Sequence, residues 1–512
     1  MDVDVIVVGA GPVGLMLAGE LALAGVRPLV LEKYPRRREV AKAGGLGGRI
    51  LELLDHRGLL DRCEAACTGP IPAPRFPFGG VHVDLSRWDD TPMHALPLPQ
   101  ARLERLLEER AGELGVEVRR GHEVIAVRQD DTSVTVDVRG PDGDRRLVAR
   151  YLAGCDGARS RVREQAGVAF PGVTYQEVNR LAQVALPETV VIRDDGGIEV
   201  PGADVIRAGF TQTETGLFGL GPADDSRIVS LFTTEDETTE YDDDTAMTVT
   251  EVRDSVRRVL GVDLPLGEAT RLSRFTFHAR HADRYRAGRV VLAGDAAHLF
   301  PATGVAINAG MLDAVGLAWR LAAEIHGHAP AGLLDTYDDE RRLANARTLL
   351  HTRAQVALRR GRDAAADALR ELFQELLQDE PASRRVGALL AGADVRYPVP
   401  DADRHECAGT FVSDRVLPTG EGRSRVAASM RAARPVLVDL ADRGDLREAA
   451  SAWRDRVDVV TARTGERVAD AVLIRPDSYV AWAAPVGEPA ERAVPALRGA
   501  LTTWFGDPGD AV

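Results

Sequence analysis

The chain has 512 residues, of which 45% are hydrophobic and 28% charged, a composition typical of a globular protein with about two to four domains. Its formal net charge of −14 argues against a nucleic-acid-binding protein, which needs a basic surface. The four cysteines, at positions 63, 67, 155 and 407, are too few for a disulfide scaffold, so we expect a reducing, cytoplasmic environment. The apolar stretch at residues 5–19 contains four glycines and lacks a basic flank, so we expect neither a signal sequence nor a membrane anchor.

The first elements along the chain predict a dinucleotide-binding βαβ unit. The apolar run at residues 3–8 predicts a buried parallel strand, residues 15–24 predict a helix, and residues 26–31 predict a second strand. Gly9, Gly11 and Gly14 form a Gly-x-Gly-x-x-Gly turn, and Glu32 ends the second strand. Such glycines allow a tight turn and a close approach to a pyrophosphate, and the acidic residue accepts hydrogen bonds from a ribose. The pattern predicts a nucleotide cofactor and leaves FAD, NAD and NADP open.

Two further motifs follow later in the chain. Residues 147–153 predict a strand that leads into an Asp-Gly segment containing Asp156 and Arg163. Residues 289–293 predict another strand, which ends at Gly294 and Asp295. An apolar helix is predicted at residues 308–324, and helical patterns continue to residue 377.

In the order of these motifs the chain resembles the class A FAD-dependent aromatic hydroxylases of the para-hydroxybenzoate hydroxylase type, and within them the branch that tailors polycyclic aromatic polyketides. The resemblance covers nearly the whole chain. It implies an α/β fold: a Rossmann-like FAD-binding domain, a β-sheet substrate domain and a C-terminal thioredoxin-like α/β domain. The limits it implies are residues 1–170 and 278–395 for the FAD-binding domain, with long helices at 308–377, residues 171–277 for the substrate domain and residues 400–512 for the thioredoxin-like domain.

The resemblance also implies which residues bind the cofactors. The residues that would bind FAD are Gly9, Gly11, Gly14, Glu32, Arg49, Gln100, Asp156, Asp295, Gly304 and Asn308. Asp295 would hold a ribityl hydroxyl, and the loop from Pro301 through Gly304 to Asn308 would pass the isoalloxazine ring. NADPH or NADH would bind near Asp156 and Arg163. We expect no metal, and we expect His298 to be structural.

The loop at residues 301–308 departs from the family pattern. It reads Pro-Ala-Thr-Gly-Val-Ala-Ile-Asn, which has fewer glycines than the family's Pro-Pro-x-Gly-Gly-Gln-Gly-Leu-Asn and is one residue shorter. Glycine lets the backbone approach a ring closely, so this departure leaves open the detailed flavin position and the kind of oxygenation.

The middle and C-terminal regions offer fewer signals. Three aromatic residues are candidates for a pocket lining or for the core: Phe210, Phe218 and Phe232. Three arginines are candidates for binding a substrate carboxylate: Arg180, Arg207 and Arg227. Residues 400–512 contain no Cys-x-x-Cys pair, which excludes dithiol redox chemistry. We expect residues 408–512 to be structurally separable and to carry no catalytic group.

Together these features predict an NAD(P)H-dependent FAD monooxygenase. The resemblance implies that it hydroxylates a polycyclic aromatic polyketide with O2 through a C4a-hydroperoxyflavin. A Baeyer–Villiger oxygenase on a similar substrate and a low-turnover flavoprotein that binds an aromatic ligand remain alternatives. A flavin-dependent halogenase is set aside, because the two lysines, Lys33 and Lys42, are both close to the N-terminal unit and no Trp-x-Trp-x-x-Ile-Pro segment occurs. We expect no nucleic-acid or membrane partner, and a homodimer is a further possibility.

Overall fold

The computed structural model describes residues 2–508 except 38–42, 89, 92, 201, 203, 222–226, 240, 242–245, 302–303, 401–404, 414–415, 420–421 and 463–466. Its first element, β1 (Val3–Val8), is followed by α1 (Pro12–Leu23) and β2 (Pro28–Glu32). Strand β1 pairs in parallel with β2, and Val5, Ile6 and Val7 are fully buried. A strand buried on both faces needs apolar residues at every position, which is why this run is continuously hydrophobic.

Within the described part of the chain, the N-terminal sheet has eight strands, and β1 lies near its centre. The elements that follow β2 are β3 (Leu46–Gly47), α2 (Arg49–His56), α3 (Leu60–Ala65), β4 (Arg75–Phe78), β5 (Val81–Asp84), β6 (Ala95–Leu96), α4 (Gln100–Glu113), β7 (Glu117–Arg120), β8 (Glu123–Gln129), β9 (Val134–Gly140), β10 (Gly143–Gly154) and α5 (Arg161–Gln165). Strands β10, β1, β2 and β7 are parallel neighbours in that order, and β8 and β9 extend the sheet from β10. The predicted α/β class is confirmed.

The middle of the chain forms an antiparallel sheet that is covered on one face by a helix. Its elements are β11 (Gly172–Thr174), β12 (Val178–Ala185), β13 (Val191–Ile192), β14 (Ile198–Glu199), β15 (Gly209–Gln212), β16 (Gly216–Leu220), β17 (Ile228–Glu235), α6 (Val249–Leu260), β18 (Ala269–Phe275) and β19 (His278–His281). The strand order is β15-β16-β17-β12-β18. Apolar residues of β12, β16 and β17 form a core with α6, and the opposite face of the sheet is not covered by this helix.

The chain then returns to the first sheet and continues as helices. These elements are β20 (Arg286–Ala287), β21 (Val290–Leu292), a 3-10 turn (Gly294–Ala296), β22 (His298–Leu299), α7 (Ala306–His326), α8 (Asp335–Arg360), α9 (Ala364–Leu376) and α10 (Glu380–Ala391). Strand β21 pairs in parallel with β10. Helix α7 begins at Ala306, two residues before the predicted start at residue 308. The helical pattern to residue 377 is interrupted at Gly361, and the Asp363 side chain caps α9 by accepting from Ala366 N.

The C-terminal region forms a second, smaller α/β unit. Its elements are β23 (Val416–Thr419), β24 (Gly422–Arg425), α11 (Val426–Ser429), β25 (Val436–Asp439), α12 (Gly444–Ala450), a 3-10 turn (Ser451–Trp453), β26 (Asp458–Thr461), β27 (Ala471–Ile474), β28 (Val480–Ala484) and α13 (Ala490–Phe505). A mixed sheet has the order β26-β25-β27-β28, with a parallel β25–β26 pair and an antiparallel β27–β28 pair.

This C-terminal unit shares a core with the rest of the chain. Trp319 of α7 packs against Trp504 of α13 with ring centroids 6.3 Å apart. The buried Arg57 makes a bidentate ion pair with Glu20 of α1 and donates to the carbonyl oxygens of Met430 and Pro476. The expectation that residues 408–512 are structurally separable is therefore wrong, because removing them would expose apolar side chains and leave buried charges without partners.

Candidate cofactor site

The predicted cofactor motifs meet at the ends of parallel strands. The glycine turn follows β1, and the Gly294–Ala296 turn follows β21, so both lie at the carboxyl edge of the same sheet. Helix α7 packs against both turns. A Cβ on Gly294 would lie 2.9 Å from Val13 Cγ2, and a Cβ on Gly310 would lie 2.7 Å from that same atom. Only residues without side chains at positions 294 and 310 allow this packing, which brings Asp295, the start of α1 and α7 together.

The glycine turn has the geometry of a phosphate cradle. Gly9 has a φ of +105°, and a Cβ there would lie 2.4 Å from the carbonyl oxygen of Cys155. A Cβ on Gly14 would lie 2.0 Å from the carbonyl oxygen of Gly9. Beyond its chain neighbours, a Cβ on Gly11 would meet no atom of the described residues within 4 Å, so this glycine faces open space there. It is itself the N-cap of α1, and no described side chain caps that helix end. An uncapped helix N-terminus beside an open glycine fits an anionic pyrophosphate.

Glu32 joins the end of β2 to the glycine turn. Its Oε2 accepts from Ala10 N at 2.9 Å, and its Oε1 accepts from Tyr34 N at 2.9 Å. Each carboxylate oxygen has a second lone pair, so these two bonds leave capacity for the hydroxyls of a ribose. The residue is thus positioned next to the turn in the manner that the sequence predicts.

Asn308 holds two loops against the start of α7. Its Oδ1 accepts from Gly47 N at 3.2 Å, and its Nδ2 donates to the carbonyl oxygen of Gly304 at 2.9 Å. Gly304 is exposed, with nothing near its Cβ position. Pro301 is buried. Residues 302–303 of the divergent loop lie outside the described residues. Among the described residues no side chain caps the N-terminus of α7, and the backbone N–H groups of this helix end favour negative charge nearby.

Arg49 and Gln100 make contacts within the protein. The Arg49 guanidinium pairs with Glu52, lies 3.5 Å from Ser413 Oγ and stacks on the Phe411 ring at 5.0 Å. Gln100 accepts from Ala43 N at 3.2 Å and donates to Glu104. Arg49 therefore contacts the C-terminal unit, which the sequence did not predict, and Gln100 fixes the backbone next to the undescribed segment 38–42.

The Asp-Gly motif supports the turn that carries Asp295. Asp156 accepts from Ser160 Oγ at 2.5 Å and from Val162 N at 3.1 Å. Burial raises the pKa of Asp156, and these two hydrogen bonds act in the opposite direction. Arg163 donates to the carbonyl oxygen of Ala296 at 3.0 Å. Its guanidinium also lies over the Phe170 ring at 3.9 Å. Both side chains thus have internal partners, and that of Arg163 connects α5 to the 294–296 turn.

One residue that sequence reasoning missed lies behind this turn. Asp313 of α7 is fully buried and accepts from Gly294 N, while Arg341 and His298 also donate to its carboxylate. The signal in the sequence was a single carboxylate within the apolar run 309–319. His298 is fully buried in this contact, which agrees with the structural role expected for it.

The uncovered face of the middle sheet carries two of the three aromatic candidates. Phe210 is 57% exposed, and its ring is perpendicular to that of Phe232 at 6.2 Å. Phe218 points to the other face and is fully buried in the core with α6. From this sheet, β18 leads directly to β19, which pairs with β22 beside the 294–296 turn. The Phe275 end of the sheet is therefore the end nearest to the cofactor motifs.

Two of the arginines considered for a substrate carboxylate have other partners. Arg180 is buried and pairs with Glu235, Glu237 and Glu251. Arg227 donates to backbone carbonyl oxygens, including those of Leu186 and Pro187. This use contradicts a carboxylate-binding role for these two residues; Arg207 has an exposed position.

The described residues contain neither a candidate metal cluster nor a candidate membrane-spanning helix. No group of three or more His, Cys, Asp or Glu side chains is arranged to hold a metal ion there. Within the same residues, no helix combines the length and the apolar character needed to cross a membrane.

Comparisons with known proteins agree with this geometry. The family described as FAD binding domain matches residues 2–352, and the family described as aromatic-ring hydroxylase, C-terminal, matches residues 405–508. The chain is 41% identical to a 12-dehydrotetracycline 5-monooxygenase/anhydrotetracycline 6-monooxygenase of Streptomyces rimosus, over 99% of this chain and 100% of that protein. It is 38% identical to a dialkyldecalin synthase of Streptomyces rugosporus, over 99% of both chains. The solved structure of an anhydrotetracycline hydroxylase from Streptomyces rimosus superposes with a TM-score of 0.88 at 38% identity, covering 99% of this chain and 100% of that one.

Proposed function

This chain belongs to the family of FAD-dependent aromatic-ring hydroxylases and is a FAD-dependent monooxygenase, and we propose that its substrate is a polycyclic aromatic polyketide and its electron donor NADPH or NADH. The overall reaction consumes the substrate, O2, the reduced nicotinamide nucleotide and one proton. It yields the hydroxylated product, the oxidised nucleotide and water.

The residues of the site fit FAD. The open position at Gly11 and the uncapped start of α1 would receive the pyrophosphate, Glu32 the adenosine ribose and Asp295 the ribityl chain. When bound, FAD supplies the electron transfer and O2 activation that hydroxylation requires. The N-terminus of α7 would stabilise negative charge at the isoalloxazine end, and Asn308 would hold the Gly47 and Gly304 loops in place around it.

The uncovered sheet face supports a flat, multi-ring substrate. Phe232, Gly219 and Phe210 are directly opposite one another on three neighbouring strands. Gly219 leaves room for the Phe210 ring, because a Cβ there would lie 2.9 Å from Phe210 Cε1. Two perpendicular phenyl rings on an accessible face offer stacking and edge contacts to a fused aromatic system. The exposure of Phe210 is the observation that carries this part of the proposal.

The reductant is proposed to bind transiently, near the segment that contains Asp156 and Arg163. Both side chains have internal partners, so we expect them to shape this surface rather than to pair directly with the nucleotide. The stacking of Arg163 on Phe170 keeps positive charge close to the 294–296 turn, and positive charge suits a nucleotide phosphate.

The test is turnover under 18O2 by the purified, FAD-loaded protein with NADPH or NADH and a panel of tetracyclic phenols. Substrate-dependent oxidation of the nucleotide and incorporation of one 18O atom at an aromatic carbon support the proposal. Incorporation next to a carbonyl carbon, seen by NMR as an ester or lactone, would instead identify Baeyer–Villiger chemistry. An anaerobic reaction is the control.

A second function is favoured by one comparison. The similarity to a dialkyldecalin synthase, together with the divergent 301–308 loop, favours a ring-forming enzyme as the second candidate, and we take ring closure without oxidation of the substrate as its testable form. Such an enzyme would convert a polyene substrate to an isomer of unchanged mass without consuming the nucleotide. The same assay, supplied with a linear polyene, distinguishes the two functions.

A further inference from the structure

We propose that Asp313 is a positioning residue that sets the place of Asp295 relative to the N-terminus of α7, and thereby the affinity for FAD. This inference rests on the proposed assignment of the 294–296 turn to FAD. It concerns a residue that does not itself reach the surface of the site, since Asp313 is fully buried.

The Asp313 carboxylate closes the turn from behind. Its Oδ2 accepts from Gly294 N at 3.0 Å and from His298 Nε2 at 2.6 Å. Gly294 directly precedes Asp295, and His298 follows it by three positions. One oxygen atom therefore holds both ends of the segment that carries Asp295.

The other oxygen of Asp313 fixes the carboxylate to α8. Its Oδ1 accepts from Arg341 Nε at 2.7 Å and from Asn345 Nδ2 at 3.0 Å. Arg341 also donates to Tyr397 Oη and to the carbonyl oxygen of Ala309. Burial would raise the pKa of Asp313, but His298 and Arg341 hold it below its usual range, so the group is an ionised acceptor of four hydrogen bonds.

The location of Asp313 gives this arrangement its effect on the cofactor. It lies on α7, about two turns after the first residue of the helix. Helix α7 also carries Asn308. The same rigid helix therefore contacts the Gly47 and Gly304 loops at its start and the Asp295 turn through Asp313. We therefore expect a change at Asp313 to shift the Asp295 turn relative to the helix N-terminus.

Asp313→Asn is the variant that tests the role. The asparagine amide replaces one acceptor oxygen of the carboxylate by an NH2 group. In one orientation this NH2 group faces the N–H donors of Gly294 and His298. In the other orientation it faces the N–H donors of Arg341 and Asn345. The matched control is Asp477→Asn. Asp477 is a buried carboxylate that pairs with Arg475 and Arg320 and accepts from Trp319 Nε1, and none of these described partners belongs to the cofactor loops.

The measurements are the apoprotein melting temperature, the FAD dissociation constant well below that temperature, and the visible circular dichroism of the bound flavin at saturating FAD. We expect Asp313→Asn to weaken FAD binding about tenfold or more and to change the flavin spectrum. Asp477→Asn should lower the melting temperature but leave the FAD affinity within about twofold and the spectrum unchanged. Equal affinity and an unchanged spectrum in Asp313→Asn would overturn the proposal.

Two further variants make every outcome informative. If Asp313→Asn does not fold, His298→Gln releases one end of the turn, and wild-type FAD affinity in that variant would overturn the proposal. Asp295→Ala tests the underlying assignment separately. Weakened binding in Asp295→Ala with normal binding in Asp313→Asn would reject only the positioning role, whereas normal binding in both would also reject the proposed FAD contact at this turn.

Discussion

Arg475 and Glu340 face each other across the boundary between the C-terminal unit and the rest of the chain. Arg475 Nη1 lies 2.6 Å from Glu340 Oε1, and Arg475 Nη2 lies 2.8 Å from Glu340 Oε2. The Arg475 side chain is fully buried, and that of Glu340 is 2% exposed. Glu340 also binds Arg320 of α7, and Arg475 also binds Asp477. Two buried charges of each sign thus join the C-terminal unit to the helix that carries the cofactor residues.

Breaking this pair is expected to destabilise the whole protein. Arg475→Ala leaves the carboxylates of Glu340 and Asp477 buried with one positive charge fewer beside them. The expected cost is about 3–5 kcal/mol in the free energy of unfolding. The control is Arg425→Ala, which removes a pair with Asp55 at 2.8 Å in which the Arg425 side chain is 55% exposed. That change should cost less than about 1 kcal/mol. Denaturant unfolding of both variants checks the difference, and equal small effects would contradict it.

The glycine turn gives a second prediction, because Gly11 and Gly14 differ in what surrounds them. Gly11→Ala places a methyl group where, beyond its chain neighbours, no atom of the described residues lies within 4 Å, so the apoprotein should keep its melting temperature while FAD binding weakens. Gly14→Ala places it 2.0 Å from the carbonyl oxygen of Gly9, so the fold itself should lose about 1–3 kcal/mol or more. FAD titration and thermal unfolding of the two apoproteins separate these effects. Normal FAD affinity in Gly11→Ala would contradict a phosphate at this position.

The stability of the protein is expected to fall in mild acid because of His351. Burial lowers the pKa of this side chain, which is 2% exposed, from 6.5 to about 4. The unfolded chain binds a proton at His351 below about pH 6.5, whereas the folded chain binds it only below about pH 4. The contribution of neutral His351 to the free energy of unfolding is therefore complete above about pH 6.5 and is lost as the pH falls from about 6.5 to about 4. At pH 5 the loss is about 2 kcal/mol.

The matched variant is His351→Gln, which removes the titrating group and keeps a polar side chain near Gln355, the partner of His351 Nδ1 at 3.1 Å. Its free energy of unfolding should decline less than that of the wild type between pH 7.5 and pH 5. Urea unfolding at the two pH values measures this, and parallel declines in both proteins would show that His351 does not titrate as described.

The sequence predicted the structural features that depend on neighbouring residues, and it missed the contacts between residues that are far apart in the chain. The strand, glycine turn and helix around Gly9 and Gly14 follow from local apolar patterns and from spacing, and they were found. Asp313 was missed because its role is defined by Arg341 and Asn345, which lie 28 and 32 positions away. The separable C-terminal unit was predicted wrongly for the same reason, since Arg475 and Glu340 are 135 positions apart.

Phe210 and Phe218 give the last prediction, because they lie eight positions apart on opposite faces of one sheet. Phe218 is fully buried against α6, so Phe218→Ala should lower the free energy of unfolding by about 3–5 kcal/mol. Phe210 is 57% exposed, so Phe210→Ala should cost far less stability.

If the face binds a multi-ring substrate, Phe210→Ala should raise the KM for a tetracyclic phenol about tenfold through lost stacking and leave the FAD affinity unchanged. Phe210→Tyr keeps the ring and should restore the KM. Steady-state kinetics and FAD titration of the three variants provide the check. A wild-type KM in Phe210→Ala would show that the substrate does not bind at this face.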